Sequence, residues 1–262
     1  MKLLTPRINK MLVEKANPDY AKLYGKDYKP KPRIKPSDLG MESLRRIFYS
    51  YMRVDPDQKI EAKLKRIFDT GDAYHDMMKT WVKDMGILIE YKDPETGEIP
   101  IDKWSGKPNS EFPVNIVELE VKNGKIDAIL LVDGKIWIGE FKSAKDSKWQ
   151  PIDEPMDDHA MQANTYVHLF EYCLQRGDYA HIKELNGFTE VEGVIYLYIN
   201  KDTSELKEYV CEKDSSDLDP IVKKIVKIQE YREKKKLPPC ACNPKAWCPY
   251  NKKCAKNFNP CE

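Results

Sequence analysis

Apolar positions recur along this chain with two different periods, and the changes of period mark out its elements. Leu39, Leu44, Ile47, Phe48 and Tyr51 recur at helical spacing and predict a helix over about 38–52, with Ser37 as its N-cap. Ile60, Leu64, Ile67, Phe68, Met78 and Val82 predict a second, long helix over about 57–85. Residues 92–110 hold several Pro and Gly and read as a loop. The period then falls to two, predicting strands over about 114–121, 125–132 and 135–142. Helical spacing returns with Ala160, Ala163, Tyr166, Val167, Phe170 and Leu174, in a helix that Asp157 and Asp158 open. The run VEGVIYLYIN over 191–200 is a β-prone strand, and 206–212 is its hairpin partner. A basic amphipathic helix over 217–236, carrying Ile221, Ile225 and Ile228, stops at Pro238 and Pro239. Helices, strands, a covering helix, further strands and a last helix predict an α/β domain whose mixed central sheet is flanked by helices.

Both ends differ from this middle. Residues 1–36 are rich in Lys, Pro and Tyr and finish in KPKPRIKP, which predicts an extended, basic N-terminal arm. Residues 37–236 form the predicted domain, and 237–262 a Cys-rich tail. A length of 262 residues suits one large domain with an appendage. Charged residues reach 33%, which implies a well-solvated surface, yet 44 basic and 43 acidic side chains leave a net charge of only +1. Any polyanion must therefore be held by a local patch. No run approaches the roughly 20 apolar residues of a membrane span, and MKLLTPRINKML lacks the apolar core of a signal peptide. The expectation is a soluble, cytoplasmic protein with no membrane partner.

The strongest chemical signal lies around Asp133-Gly134, between two alternating apolar runs. Asp-Gly favours a two-residue hairpin turn. Such a turn sets Val132 against Lys135, Asp127 against Glu140 and Lys125 against Lys142. Alternation then puts Asp127, Glu140 and Lys142 on one face with Ile129, Leu131, Ile136 and Ile138, and Ile126, Ala128, Leu130, Trp137 and Phe141 on the other. Directly opposed residues have Cβ atoms about 4.5–5.5 Å apart, and like charges there are destabilising. At the end of a buried strand pair two carboxylates call for a cation, and a hard divalent ion such as Mg²⁺ or Mn²⁺ accepts oxygen ligands in that geometry. Lys142 beside them can orient an attacking water or stabilise charge on a transferring phosphoryl group. The competing reading is a charged hairpin end exposed to solvent.

Three further pairs agree with the metal reading, though each alone is ordinary. Gly71 and His75 lie one helical turn apart, and His75 can supply a nitrogen ligand. Gln162 and Tyr166 repeat that spacing on a later helix. Ser143-Ala144-Lys145 makes a small, basic exit from the strand, suited to a phosphate backbone.

The string GKIDAILLVDGKIWIGEFKSA resembles the nuclease core of RecB-type PD-(D/E)xK exonucleases. Their order of motifs is G-x-x-x-H, Asp, E-x-K and Q-x-x-x-Y, matched here by Gly71 to His75, Asp127, Glu140 to Lys142 and Gln162 to Tyr166. The resemblance spans about 37–170 and implies a restriction-endonuclease-like fold. It also implies Mg²⁺ or Mn²⁺ on His75, Asp127, Glu140 and the backbone carbonyl of Phe141. Lys142 is then catalytic, and Gln162 and Tyr166 place the scissile strand.

Cys240, Cys242, Cys248, Cys254 and Cys261 crowd into the tail, a pattern that favours metal binding over disulfides in a cytosolic protein. Some members of the resembled family, the CRISPR-adaptation exonucleases and AddB-like helicase-nucleases, carry a [4Fe–4S] cluster held by one N-terminal and three C-terminal Cys. The segment from Trp247-Cys248-Pro249-Tyr250 to Cys254 is similar to the end of that C-terminal motif, and Ser37 to Tyr49 to its N-terminal helix. Ser43, however, stands where the N-terminal Cys is expected, and Cys240-x-Cys242 replaces C-x2-C. Cys240, Cys242, Cys248 and Cys254 can themselves hold Zn²⁺ or an iron–sulfur cluster, with Cys261 as a substitute. Either would staple a tail too poor in apolar residues to fold alone. Cys173 and Cys211 read as packing.

The expected partner is DNA. Candidate contacts are the arm from Lys26 to Lys35, Arg45 and Arg46, and Lys145 and Lys148 beside Trp149, whose ring can stack on an unpaired base for about 1–3 kcal/mol. The expected activity is a metal-dependent DNA exonuclease of a bacterial, archaeal or phage-infected cell. Its rivals are a structure-specific or restriction-type endonuclease of the same fold, a catalytically silent nucleic-acid-binding protein, and a metalloprotein whose only metal is in the tail.

Overall fold

The structure, a computed structural model, describes residues 4–19, 31–41, 43–57, 59–102, 106–149, 152–213, 219–241 and 248–261. Its helices are α1 (Leu4–Ala16), α2 (Pro36–Leu39), α3 (Leu44–Tyr51), α4 (Ala62–Asp84), α5 (Asp146–Trp149), α6 (Asp157–Arg176), α7 (Asp219–Glu233) and α8 (Asn251–Ala255). Its strands are β1 (Leu88–Ile89), β2 (Phe112–Ile116), β3 (Val121–Ile126), β4 (Ala128–Val132), β5 (Lys135–Ala144), β6 (Gly193–Asn200) and β7 (Leu206–Glu212).

The chain is an α/β protein built on a five-stranded sheet of order β1-β4-β5-β6-β7. The sheet is mixed: β5 and β6 run parallel, and the other neighbours are antiparallel. That follows from the connections. Asp133 and Gly134 both have positive φ, 49° and 73°, which is the two-residue turn that joins antiparallel strands, whereas β5 returns to β6 only after crossing through α5 and α6. One face of the sheet packs Ile129, Ile136, Ile138, Tyr196 and Tyr198 into the main core with Val167 and Phe170 of α6. The other packs Ala128, Leu130, Phe141 and Ile199 against Met78 and Val82 of α4. The sheet is thus covered by one long helix on each side. Strand β7 lies at the edge and alternates exposed with half-buried positions.

Three expectations are corrected. The strand expected over 125–132 is two strands belonging to two sheets. β3 pairs with β2 in a separate two-stranded sheet, the chain bends at Asp127, and β4 then joins the main sheet. Lys125 accordingly lies opposite Pro113, not Lys142, and Ile126 packs in the main core instead of on the α4 face. The helix expected over 38–52 is divided at Gly40. Its effective cap is Ser43, whose Oγ accepts the Arg46 N–H at 3.3 Å, while Ser37 sits inside the short α2 behind Pro36. The arm is not extended throughout: residues 4–16 are helical and lie along α4, tied by Asn17, whose amide donates to Ile60 O at 2.9 Å and accepts from Ile60 N at 2.8 Å. Residues 20–30, which include Lys26, lie outside the described residues.

Gly40 sets the spacing between α2 and α6. A Cβ built there would stand 2.9 Å from Gln162 N and 3.1 Å from Met161 C, both backbone atoms that cannot turn aside. Its own φ of −67° is ordinary, so the requirement is for space and not for backbone freedom. Gly40→Ala is expected to destabilise the protein by about 1–3 kcal/mol through overpacking. Urea denaturation measures it, and a midpoint equal to that of the parent would show that α6 shifts without cost.

Candidate active site

The site grows from the register of the β4–β5 hairpin. The pairs Val132↔Lys135, Leu131↔Ile136, Leu130↔Trp137, Ile129↔Ile138 and Ala128↔Gly139 form the ladder that the two-residue turn predicts. Asp127 is the next residue and lies in the bend where the chain leaves β3. Its Oδ2 accepts the Phe141 N–H at 3.3 Å, which seats the carboxylate against the Glu140–Phe141 peptide. Glu140 is 2% exposed, and the Lys142 ammonium forms an ion pair with its Oε1. The Phe141 side chain turns into the opposite core, so Glu140 and Lys142 share the α6-facing side.

Both helices contribute. His75 of α4 brings Nδ1 to 3.6 Å from Asp127 Oδ2, and a Cβ built on Gly71, one turn earlier, would come within 4.0 Å of Ser143 Oγ. From α6, Tyr166 is buried and hydrogen-bonds the Lys125 backbone. Gln162, half-buried, stands one turn before it, where α6 abuts Gly40. His75, Asp127, Glu140, Lys142 and Tyr166 therefore converge on one end of the sheet from three elements and a bend.

Burial and charge oppose each other here. Desolvation, then the neighbouring Asp127 carboxylate, pushes the Glu140 carboxyl up to about 7, and the Lys142 ammonium does not offset them. Desolvation works against a charged Lys142, but Glu140 and Asp127 outweigh it and hold the ammonium above its ordinary pKa. Burial raises the Tyr166 phenol, and Asp127 and Glu140 add to the rise. Two carboxylates, an imidazole and the Phe141 carbonyl between Glu140 and Lys142 are a donor set that suits a hard divalent cation. As arranged, with Lys142 against Glu140, no group of three or more His, Cys, Asp and Glu among the described residues is gathered to hold an ion.

Other expected positions have different surroundings. Trp149 is 3% exposed, and its ring lies 5.0 Å beneath the Lys207 ammonium, which also donates to Trp149 O and Ile152 O. Its ring is therefore closed to a base. Arg45 is turned toward the tail: Nε donates to Pro238 O at 2.7 Å and Nη1 to Asn257 Oδ1 at 2.9 Å, with Cys254 Sγ 3.7 Å away. That guanidinium is spent on holding the tail and is not free for a phosphate. Lys145 and Lys148 remain exposed beside α5.

In the tail, the Cys254 thiol donates to Cys240 Sγ at 3.2 Å, and Cys248 is buried in the main core with Tyr250. Cys261 is half-buried, and Cys242 lies outside the described residues. Burial and the Cys240 thiol raise the Cys254 pKa. Cys173 is fully buried and Cys211 half-buried, as packing residues are.

Two residues of this region went unread in the sequence. His159 opens α6 and meets Tyr198 Oη at 2.9 Å through Nδ1, and Tyr198 is the β6 neighbour of Lys142. The available signal was spacing: His159 stands one turn before Gln162, itself one turn before Tyr166. A separate cleft at the turn end of the hairpin, between Gly134 and Val191, is lined by lysines already paired, Lys135 with Glu192 and Lys213 with Glu190.

The raised carboxyl has a consequence for stability. Between pH 4.5, the ordinary value, and about 7, the folded protein holds a proton on Glu140 that the unfolded chain has released. Folding stability of the metal-free protein therefore falls as pH rises through that window. Glu140→Gln is expected to remove that loss and to gain on the order of 1–3 kcal/mol at pH 8. Urea titrations in EDTA at pH 5 and pH 8 measure the difference, and parallel behaviour of both proteins would refute a raised Glu140 pKa.

No family model matches the chain, and no curated protein matches it. Among solved structures, one described as "Crystal structure of SSO0001" is similar over 96% of this chain and 96% of its own, at 18% identity and a TM-score of 0.47. That likeness is distant.

Proposed function

We propose that the chain is a metal-dependent DNA exonuclease with a restriction-endonuclease-like fold, hydrolysing phosphodiester bonds at the Asp127–Glu140–Lys142 end of the sheet. The observation that carries this reading is a buried carboxylate, Glu140, set beside a second carboxylate and a lysine whose ammonium both of them stabilise. Such a cluster is costly to bury, and a structural role would be filled as well by apolar side chains. Mg²⁺ or Mn²⁺ held by His75, Asp127, Glu140 and the Phe141 carbonyl would supply Lewis acidity and lower the pKa of a bound water. Lys142 then leaves Glu140 to orient the attacking water and to offset charge on the phosphoryl oxygens. The Phe141 N–H holds Asp127 in place, where its carboxylate would serve as a ligand. Tyr166 and Gln162 line the α6 side, where the scissile strand passes.

End-labelled linear DNA with Mg²⁺ or Mn²⁺ tests the reading. Degradation is expected, with Asp127→Ala or Lys142→Ala lowering the rate at least ~100-fold, and variants as active as the parent would sink the assignment. Survival of closed circular DNA while linear DNA disappears separates exonuclease from the endonuclease alternative.

For the tail, we propose that Cys240, Cys248 and Cys254, with Cys242, hold Zn²⁺ or a [4Fe–4S] cluster. The approach of the Cys240 and Cys254 sulfurs supports it. Arg45 joins α3 to the tail by hydrogen bonds, two residues after Ser43. Metal analysis is expected to give about one zinc per chain in a colourless protein, or about four irons in a brown one. A chain purified without either metal, and folded alike after chelation, would overturn the tail site.

A further inference from the structure

His159 lies beside the candidate active site but belongs to none of the motifs that describe it. It sits in the first turn of α6, with its side chain 21% exposed. Tyr198 explains its orientation. In the parallel β5–β6 pairing Tyr198 is the register partner of Lys142, so the two side chains stand on the same face of adjacent strands. Tyr198 Oη accepts the Met156 N–H at 3.3 Å, and its own proton has His159 Nδ1 as acceptor at 2.9 Å. With that tautomer the ring proton is on Nε2, the atom directed away from Tyr198 and 3.9 Å from Asp158 Oδ1. Burial, then the Lys142 ammonium, lowers the imidazole pKa; Asp158 opposes and Lys148 adds to the lowering. These surroundings favour the neutral ring, whose outer nitrogen lies near Asp158 with Lys142 and Lys148 close enough to act on it.

The Tyr198 hydroxyl thus serves the Met156 N–H at the start of α6 and the His159 ring together, and it fixes the direction of the ring. We propose that His159 donates from Nε2 to a non-bridging oxygen of the nucleic-acid phosphate that Lys142 faces, with Tyr198 as the residue that positions the ring. The ligand's identity rests on the nuclease reading; the direction of the donor does not. His159 is thus a substrate-binding residue on the α6 side of the site, across from His75 on the α4 side.

Substitutions that copy one ring nitrogen at a time test this. Gln reaches with its amide to the Nε2 position, whereas Asn reaches only to Nδ1, the atom facing Tyr198. Two measurements are made on the full chain: anisotropy of a fluorescent DNA duplex in EDTA, and cleavage of end-labelled linear DNA with Mn²⁺. His159→Ala and His159→Asn are expected to weaken binding and raise KM roughly 10–100-fold, the loss of one hydrogen bond to a charged group, with kcat within about twofold. His159→Gln is expected to recover most of that affinity. Tyr198→Phe is expected to fall between, since the ring loses its anchor and keeps its donor. A purely structural role predicts the reverse, recovery by Asn and not by Gln, and that result overturns the proposal, as does an Ala variant that binds like the parent. A parent that binds DNA but does not cleave it defeats the nuclease reading alone, because the binding series still decides the role of His159. A parent that neither binds nor cleaves defeats both.

Discussion

The structure depends on one register. Because Asp133 and Gly134 close the shortest hairpin turn, the ladder from Val132↔Lys135 to Ala128↔Gly139 has no freedom to slip. A slip of one residue would carry Glu140 and Lys142 to the α4 face and Phe141 toward α6. Instead the turn delivers an acid, an apolar ring and a base alternately to the two sides. The Phe141 ring anchors β5 in the α4-side core while Glu140 and Lys142 meet Asp127 on the other.

The rest of the molecule closes that end of the sheet. α4 covers one face and brings His75; α6 covers the other and brings Tyr166 and His159. The parallel neighbour β6 supplies Tyr196 and Tyr198 opposite Glu140 and Lys142, so aromatic rings wall one side of the charged pair. The segment leaving β5 is fastened in turn. Fully buried Asn200 donates to Asp146, Asp146 N–H bonds Asp202, and Lys207 and Tyr209 hold the carbonyls of Trp149 and Ile152. These bonds fix where α6 begins, and hence where His159 sits.

What the sequence disclosed follows the range of the interactions involved. The hairpin register was legible because two residues decide it, and so were β6, β7, α6 and α7, whose periodicity is strong. The bend at Asp127 was not, since Ile126 and Ala128 both look like members of one strand; only the partners of β3 and β4, distant in the chain, separate them. Trp149 and Arg45 were misjudged for the same reason. A tryptophan between lysines and an arginine on a helix look available until Lys207 and the tail carbonyl of Pro238 arrive from elsewhere. Of the site, Asp127, Glu140 and Lys142 follow from local spacing. His75 and Tyr166 needed the motif resemblance, and the Tyr198–His159 contact needed the fold.

The parallel pairing of β5 with β6 also orders events in time. Asp127, Glu140 and Lys142 can come together as soon as the hairpin closes, a local step that takes microseconds. Tyr196 and Tyr198 reach them only after the whole crossover through α6 has formed, and contacts so distant along the chain form slowly. Glu140 is therefore enclosed only when β6 and α6 dock, while Asp127 and Lys142 keep part of their exposure. The cost of burying that one carboxylate thus falls on a docking step, which whatever ion or proton neutralises it would ease.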